Sequence, residues 1–257
     1  MNMKAPSRDI VLIHSSDLHL SADGAYGASA ADRVSILHEV LATAALSRAD
    51  LVMLAGDTFD HNRQPTEFLN RTAGMLAEFS APIVILPGNH DPLTPDSVYR
   101  CSRLGEIPNV CVLGLSVDDA VVFPEFELEI CGKAHVDYFD MSPLPEPRTR
   151  TTRWRLSAAH GHYVEEPDEP GRLLGSWLIR QAGLIATGAD YVALGHWNRA
   201  ARVGDPRIHA YYSGSPEYAG TVNVVRLRND GEVEVSLAAL PSGKGNRPLD
   251  AEKDFLS

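Results

Sequence analysis

Ile83-Val84-Ile85-Leu86-Pro87-Gly88-Asn89-His90-Asp91 sets an apolar, β-branched run against a short polar turn that is closed by Pro92. The first four residues read as a buried strand and the next five as a tight loop at its end. Gly88 reads as the residue that lets the backbone take a conformation closed to other side chains, so that Asn89 and His90 are aimed. The same construction occurs twice earlier. Residues 9–13 run into Ser16-Asp17-Leu18-His19, and residues 51–55 run into Gly56-Asp57. Three strands thus each end in a side chain of metal-ligand type.

Between these strands the apolar positions change period. Val34, Leu37, Val40, Leu41, Ala44 and Ala45 repeat at helical spacing and predict a helix over 31–48, and a second is predicted over 66–79. Strand, helix, strand is a parallel crossover unit, and its repetition gives an α/β class. Pro95-Asp96 reads as a helix start with Tyr99, Leu104 and Ile107 on one face, before a fourth strand at 110–113. Beyond Gly114 the long helices stop. Short strands at 120–123, 125–131 and 154–159 read as a meander, with surface loops at 141–149 and 165–170. A helix over 172–182 leads to a strand at 190–194 that ends in Gly195-His196-Trp197-Asn198. Strands at 208–213, 221–228 and 232–240 follow, the last two joined by Asn229-Asp230-Gly231, a hairpin signal. One domain over 1–240 and a tail over 241–257 are expected.

At 257 residues, 44% hydrophobic and 22% charged, the chain can bury one large core. Its formal net charge of −11 argues against a surface that coats nucleic acid, so any such contact is local. Cys101, Cys111 and Cys131 are an odd count without a CxxC pair, which argues against a disulfide framework and for a reducing compartment. No apolar run reaches transmembrane length, and residues 1–8 lack the apolar core of a signal peptide. A cytoplasmic protein without membrane partners is expected.

Asp17, His19, Asp57, Asn89, His90, His160 and His196 all stand at predicted strand ends. Each alone is a weak signal. Together, two carboxylates, an amide oxygen and several imidazoles form a donor set for two divalent ions, since hard oxygens and borderline imidazoles suit Mn, Fe or Zn. The order DxH, GD, GNHD, a later His and GHx(H) resembles the signature of the calcineurin-like metallophosphoesterases. The wider context is similar to DNA-repair nuclease subunits of the SbcD type: His14-Ser15-Ser16-Asp17-Leu18-His19-Leu20, Gly56-Asp57-Thr58-Phe59-Asp60 followed by Asn62-Arg63, and Tyr212-Ser213-Gly214-Ser215-Pro216-Glu217.

The resemblance implies a two-sheet β-sandwich core flanked by helices in four layers. It implies that Asp17 and His19 bind a first metal, that Asp57 bridges, and that Asn89, His160 and His196 complete a second. His90 is then the general acid. His160 ends a predicted strand and is preferred over His162, which is left to support a ligand or face the substrate. The ions are expected to be Mn2+, with Fe, Zn or Mg as alternatives. His14, inside the first strand, reads as structural, and surface or core roles are the default for His38, His61, His135 and His209.

Two departures from the family pattern stand out. Asn198 occupies the position of the family's last histidine, a ligand of the first metal. Its amide oxygen is a weaker, harder donor that tilts the site from zinc toward manganese or magnesium. After Pro216 about forty residues remain, enough for a hairpin but not for a separate capping domain. A basic cluster, Arg148, Arg150, Arg153 and Arg155, offers local positive charge, and Arg153 and Arg155 share a face of their predicted strand. With His162, these two are the candidate substrate-binding residues. The function expected is a nuclease-like metal-dependent phosphodiester hydrolase in which water attacks phosphorus in line. A small-molecule or cyclic-nucleotide phosphoesterase is the alternative, and a metal-binding scaffold without activity is the third reading. The resemblance implies DNA as substrate and an ATPase partner subunit, and leaves a homodimer open.

Overall fold

The computed structural model describes residues 8–23, 30–165 and 176–243. In chain order its elements are β1 (Ile10–Ser15), α1 (Ala30–Leu46), β2 (Leu51–Ala55), α2 (Thr66–Glu78), β3 (Ile83–Leu86), β4 (Val110–Val112), β5 (Ala120–Phe123), β6 (Leu128–Gly132) and β7 (Trp154–His160). There follow β8 (His162–Tyr163), β9 (Leu178–Ile179), α3 (Gln181–Ala186), β10 (Tyr191–Gly195), β11 (Ala200–Val203), β12 (Ala210–Ser213), α4 (Pro216–Ala219), β13 (Thr221–Leu227) and β14 (Val233–Ala239).

The strands form two mixed six-stranded sheets, ordered β14-β13-β1-β2-β3-β4 and β11-β12-β10-β7-β6-β5. In the first, β1 to β4 are parallel neighbours and β13 runs antiparallel to β1. Its central strands are buried on both faces, which is why they read as unbroken apolar runs. One face packs on the second sheet, with β2 against β7 and β10 and β3 against β7. The helices share this core. α2 contributes Phe68, Leu69, Thr72, Ala73 and Leu76, one stripe at helical spacing, and α1 contributes Leu37, Val40, Leu41 and Ala44. The far side of the second sheet has lighter cover. There Leu144, from the proline-rich loop, and Leu184, from the six-residue α3, pack with Ile179, Val192, Leu194 and Tyr212.

Three expectations are corrected. The segment after Pro95 is a series of turns and one short 3-10 turn at Leu104–Glu106, not a helix. The Asn62 side chain takes the Val98 N–H, and other N–H groups bond within three or four residues, while Tyr99, Leu104 and Ile107 are still buried. The second half of the chain is not a meander. β6, β7, β10 and β12 are parallel neighbours, because the proline-rich loop carries the β6 to β7 crossover without a helix. The helix expected over 172–182 starts only at Gln181, since Leu178 and Ile179 are paired with His162 and Tyr163. Residues 166–170 of the second loop and 244–257 of the tail lie outside the described residues.

Candidate metal centre

Parallel strands bring their carboxyl ends to one edge of each sheet, and here the two edges meet. Asp17 and His19 follow β1, Asp57 follows β2, Asn89 and His90 follow β3, His160 ends β7 and His196 follows β10. The first two loops are bonded to one another, with Asp17 N–H donating to Gly56 O and His19 N–H to Asp57 O, both at 3.0 Å. Asp17, His19, Asp57 and His196 have left-handed φ values of 55°, 46°, 51° and 104°. Such backbone costs on the order of 1–3 kcal/mol per residue and persists only where its surroundings over-determine it. Gly88 corrects an expectation, since it is not among the residues with positive φ. It is needed for space: a Cβ there would stand 2.1 Å from Asp57 Oδ1.

The donor atoms form two groups that share one carboxylate. Asp17, Asp57 and His160 make one and His19, Asp57 and His90 the other, with ligand atoms in each within 4.8 Å of one another. His160 Nδ1 lies 2.9 Å from Ala55 O and must donate to it, which turns Nε2 toward Asp57 Oδ2 at 3.1 Å and Asp17 Oδ1 at 3.9 Å. With Nδ1 carrying its proton, Nε2 facing two carboxylates requires a second proton or a cation between them. Burial opposes the charge, but Asp57 and Asp17 outweigh it and hold the imidazole pKa up at about 9. The Asp57 carboxyl is in turn held well below its usual range by His160 despite burial, whereas burial raises that of Asp17. Asn89 Oδ1 is buried without a hydrogen-bond partner among the described residues. Buried carboxylates and an orphaned amide oxygen are costly unless a cation satisfies them. The donor set therefore fits the divalent ions that the sequence implies.

His90 is placed by two bonds: its N–H donates to Asp57 Oδ1 at 2.9 Å and its Nδ1 to Asp60 O at 2.9 Å, leaving Nε2 as the other ring nitrogen. The Asp60 carboxylate is also 3.4 Å from His19 Nδ1. Asp60 thus fixes the tautomer of two histidines, the way a supporting carboxylate orients a metal-binding imidazole. Sequence reasoning missed Asp60, and it missed Asp91, which is fully buried. Asp91 accepts from Phe59 N–H (2.9 Å), Gly88 N–H (2.7 Å) and Tyr99 O–H (2.6 Å), tying the loops after β2 and β3 together. His135, assigned a default role, is buried at the centre and donates from Nε2 to His160 O at 2.8 Å. It follows the end of β6, so the strand-end rule could have found it. Trp177 packs edge-on against His135 and His196, with ring centroids 5.4 and 5.9 Å away.

The basic cluster does not reach this centre. Arg155 is the second residue of β7 and His160 the seventh, about 16 Å apart at 3.3 Å per strand residue. Arg155 is buried and bonded through Nε to Glu129 Oε1 at 2.7 Å. Arg153 is bonded to Asn229, Arg150 to Asp190 and Arg148 to Asp119. His162, half-buried, accepts from Trp197 Nε1 at 3.0 Å, and its ring lies 6.4 Å from that of His196. Asn198 is half-buried in the turn that leads into β11. His14 is structural as expected, buried with its Nδ1 2.9 Å from the Tyr191 hydroxyl.

Two sheets that meet around buried oxygen and imidazole donors have the construction of a metallophosphoesterase, an α/β hydrolytic class. The calcineurin-like phosphoesterase family matches residues 10–219, and the chain belongs to that family. The D subunit of nuclease SbcCD from Bacillus subtilis (strain 168) is 24% identical over 277 residues, covering 91% of this chain and 70% of the relative. Its namesake from Escherichia coli (strain K12) is 31% identical over 241 residues, covering 80% of this chain and 60% of the relative. Among solved structures, the E. coli phosphoesterase Yfce aligns over 90% of this chain and 100% of its own, with 14% identity and a TM-score of 0.41. Family and relatives make the chain a hydrolase. None of its described helices is long and apolar enough to cross a membrane.

Proposed function

We propose that the chain is a nuclease-like phosphodiester hydrolase that works with two divalent ions, manganese first among them. The observation that carries this reading is the sharing of Asp57 between the two donor groups, with His160 Nε2 and Asn89 Oδ1 left for a cation. Asp17, His19 and Asn198 would hold one ion, Asn89, His160 and His196 the other, and Asp57 both. When bound, such ions stabilise charge on phosphoryl oxygens and make water acidic enough to attack at neutral pH. The protein supplies the rest. His90 keeps Nδ1–H on the Asp60 carbonyl and holds a proton at Nε2 for the departing oxygen. Asp60 and Ala55 set the rings of His19 and His160.

Similarity to the D subunit of nuclease SbcCD supports DNA as substrate and an assembly with an ATPase subunit, and a homodimer belongs to the same proposal. The domain is taken as 1–240, with 241–257 as a tail. The cytoplasmic setting rests on three free thiols. A small-molecule phosphoesterase is the second reading, favoured because Arg148, Arg150, Arg153 and Arg155 are engaged with other partners away from the centre. A panel of manganese, iron, zinc and magnesium against bis-p-nitrophenyl phosphate, p-nitrophenyl phosphate, cyclic nucleotides and DNA separates the readings. Asp57→Asn is expected to abolish metal binding and turnover together. Retention of two ions with near-normal turnover would refute the reading, and no turnover with any metal would leave only a scaffold.

A further inference from the structure

A cavity of about 620 Å³ opens beside the centre, and Asn89 and His90 belong to its wall. A substituent on the oxygen protonated by His90 therefore has this cavity as its immediate surroundings. The opposite wall carries Tyr138 and Trp177, and Arg63 adds a cation. Tyr138 is 58% exposed, unusual for an aromatic ring without a surface to cover. It is nevertheless held in place. Its hydroxyl receives Asn62 Nδ2 at 3.4 Å, and the next carbonyl, Phe139 O, receives Trp177 Nε1 at 3.0 Å. Trp177 is fixed in turn by its N–H on Asp140 Oδ1 at 2.6 Å and by a left-handed φ of 56°. Two anchored aromatic residues at the mouth of a polar cavity form a stacking platform, which every nucleobase can use because every base has a π-face. The volume lies within the range for organic ligands of drug size and exceeds what a methyl or single small-ring alcohol fills.

We propose that this cavity is a leaving-nucleoside subsite, in which the base attached to the departing oxygen is unpaired and stacks on Tyr138 and Trp177. The inference rests on the phosphodiesterase reading and narrows its substrate. The step balances as a hydrolysis. The oxygen of water bonds to phosphorus while the phosphorus–oxygen bond to the nucleoside breaks. The departing oxygen takes the proton from His90 Nε2, and the proton lost by water returns to His90 through solvent. A phosphomonoester and a free nucleoside hydroxyl result.

The test compares kcat/KM for dithymidylate with that for two analogues lacking the base on one or the other sugar, using manganese-loaded protein. Removing the base from the departing sugar is expected to lower kcat/KM by about 5- to 150-fold, the range for losing one stacked base. Tyr138→Phe should keep that ratio and Tyr138→Ala should bring it close to one. Comparison of a single-stranded 12-mer with the dinucleotide tells a strand end from a small nucleotide ester, and faster cleavage of either supports the subsite. Equal rates for base-bearing and abasic diesters, or an unchanged ratio in Tyr138→Ala, would overturn it. If no diester is cleaved, the hydrolase reading fails by itself, and adenosine binding by calorimetry then decides the subsite. Adenosine binding that weakens in Tyr138→Ala supports it, and no binding, or binding indifferent to that change, overturns it.

Discussion

Arg155→Met separates the two roles that can be given to the basic residues of β7. In the fold, Arg155 and Glu129 sit directly opposite one another on β7 and β6, both 4% exposed, with Arg155 Nε 2.7 Å from Glu129 Oε1. The guanidinium also donates to Arg148 O at 2.9 Å. Removing the cation strands a buried carboxylate, which costs about 3–5 kcal/mol, whereas replacing both partners by apolar residues is neutral or stabilising. For a chain of this size each kcal/mol moves Tm by roughly 2–4 °C, so the single change should lower it by about 6–20 °C. Arg155→Met combined with Glu129→Met should restore it. Thermal unfolding is read beside kcat/KM for bis-p-nitrophenyl phosphate and DNA, both expected to stay near wild type in the double variant. An unchanged Tm in Arg155→Met with a tenfold or greater fall in kcat/KM for DNA alone would show a guanidinium that contacts substrate, and the structural role given to it here would be wrong.

His90→Ala is expected to keep both ions but slow turnover by about 10²–10⁴-fold, with a smaller loss for good leaving groups. Metal analysis that finds an ion missing would instead make His90 a ligand. Asn198→His should lower the manganese concentration needed for activity, since an imidazole replaces a weaker amide donor, and coincident titration curves would dispose of the weak-site idea. His14 titrates against stability. Burial lowers its pKa to about 3 while the Leu194 carbonyl opposes, so between pH 3 and 6.5 the unfolded chain binds the extra proton. Its contribution is intact above pH 6.5 and is lost as pH falls. Between pH 7.5 and 5 wild type should lose about 2 kcal/mol more than His14→Gln in urea unfolding of the metal-free protein. Parallel stability curves would exclude this.

The strands that end in ligand-type residues were legible because a strand buried on both faces leaves an unbroken apolar run, as at 83–86 and 51–55. What depends on a distant partner was not. Gly88 is required by Asp57, thirty-one positions earlier, and nothing local distinguishes a glycine needed for space from one needed for conformation. Period two places Arg153 and Arg155 on one face but gives neither the end of the strand at which the centre lies nor the buried Glu129 across the ladder. The β6 to β7 connection misled for a similar reason: a crossover without a helix carries no helical period, so parallel pairing left no trace in the sequence. The left-handed backbone at Asp17, His19 and Asp57 is likewise imposed by the paired loops rather than encoded by residue type.

The carbonyl of Ala55 joins the last residue of β2 to the last of β7, through the ring of His160. A Cβ at Gly195, the last residue of β10, would stand 1.9 Å from the same oxygen. One backbone atom is thus the datum from which both leaves of the sandwich are measured, and the donors on each leaf keep their separation only while the leaves stay docked. An ion held between them acts as a rivet. Its loss loosens the seam along β2, β7 and β10 before it is felt at the outer strands β5, β11 and β14.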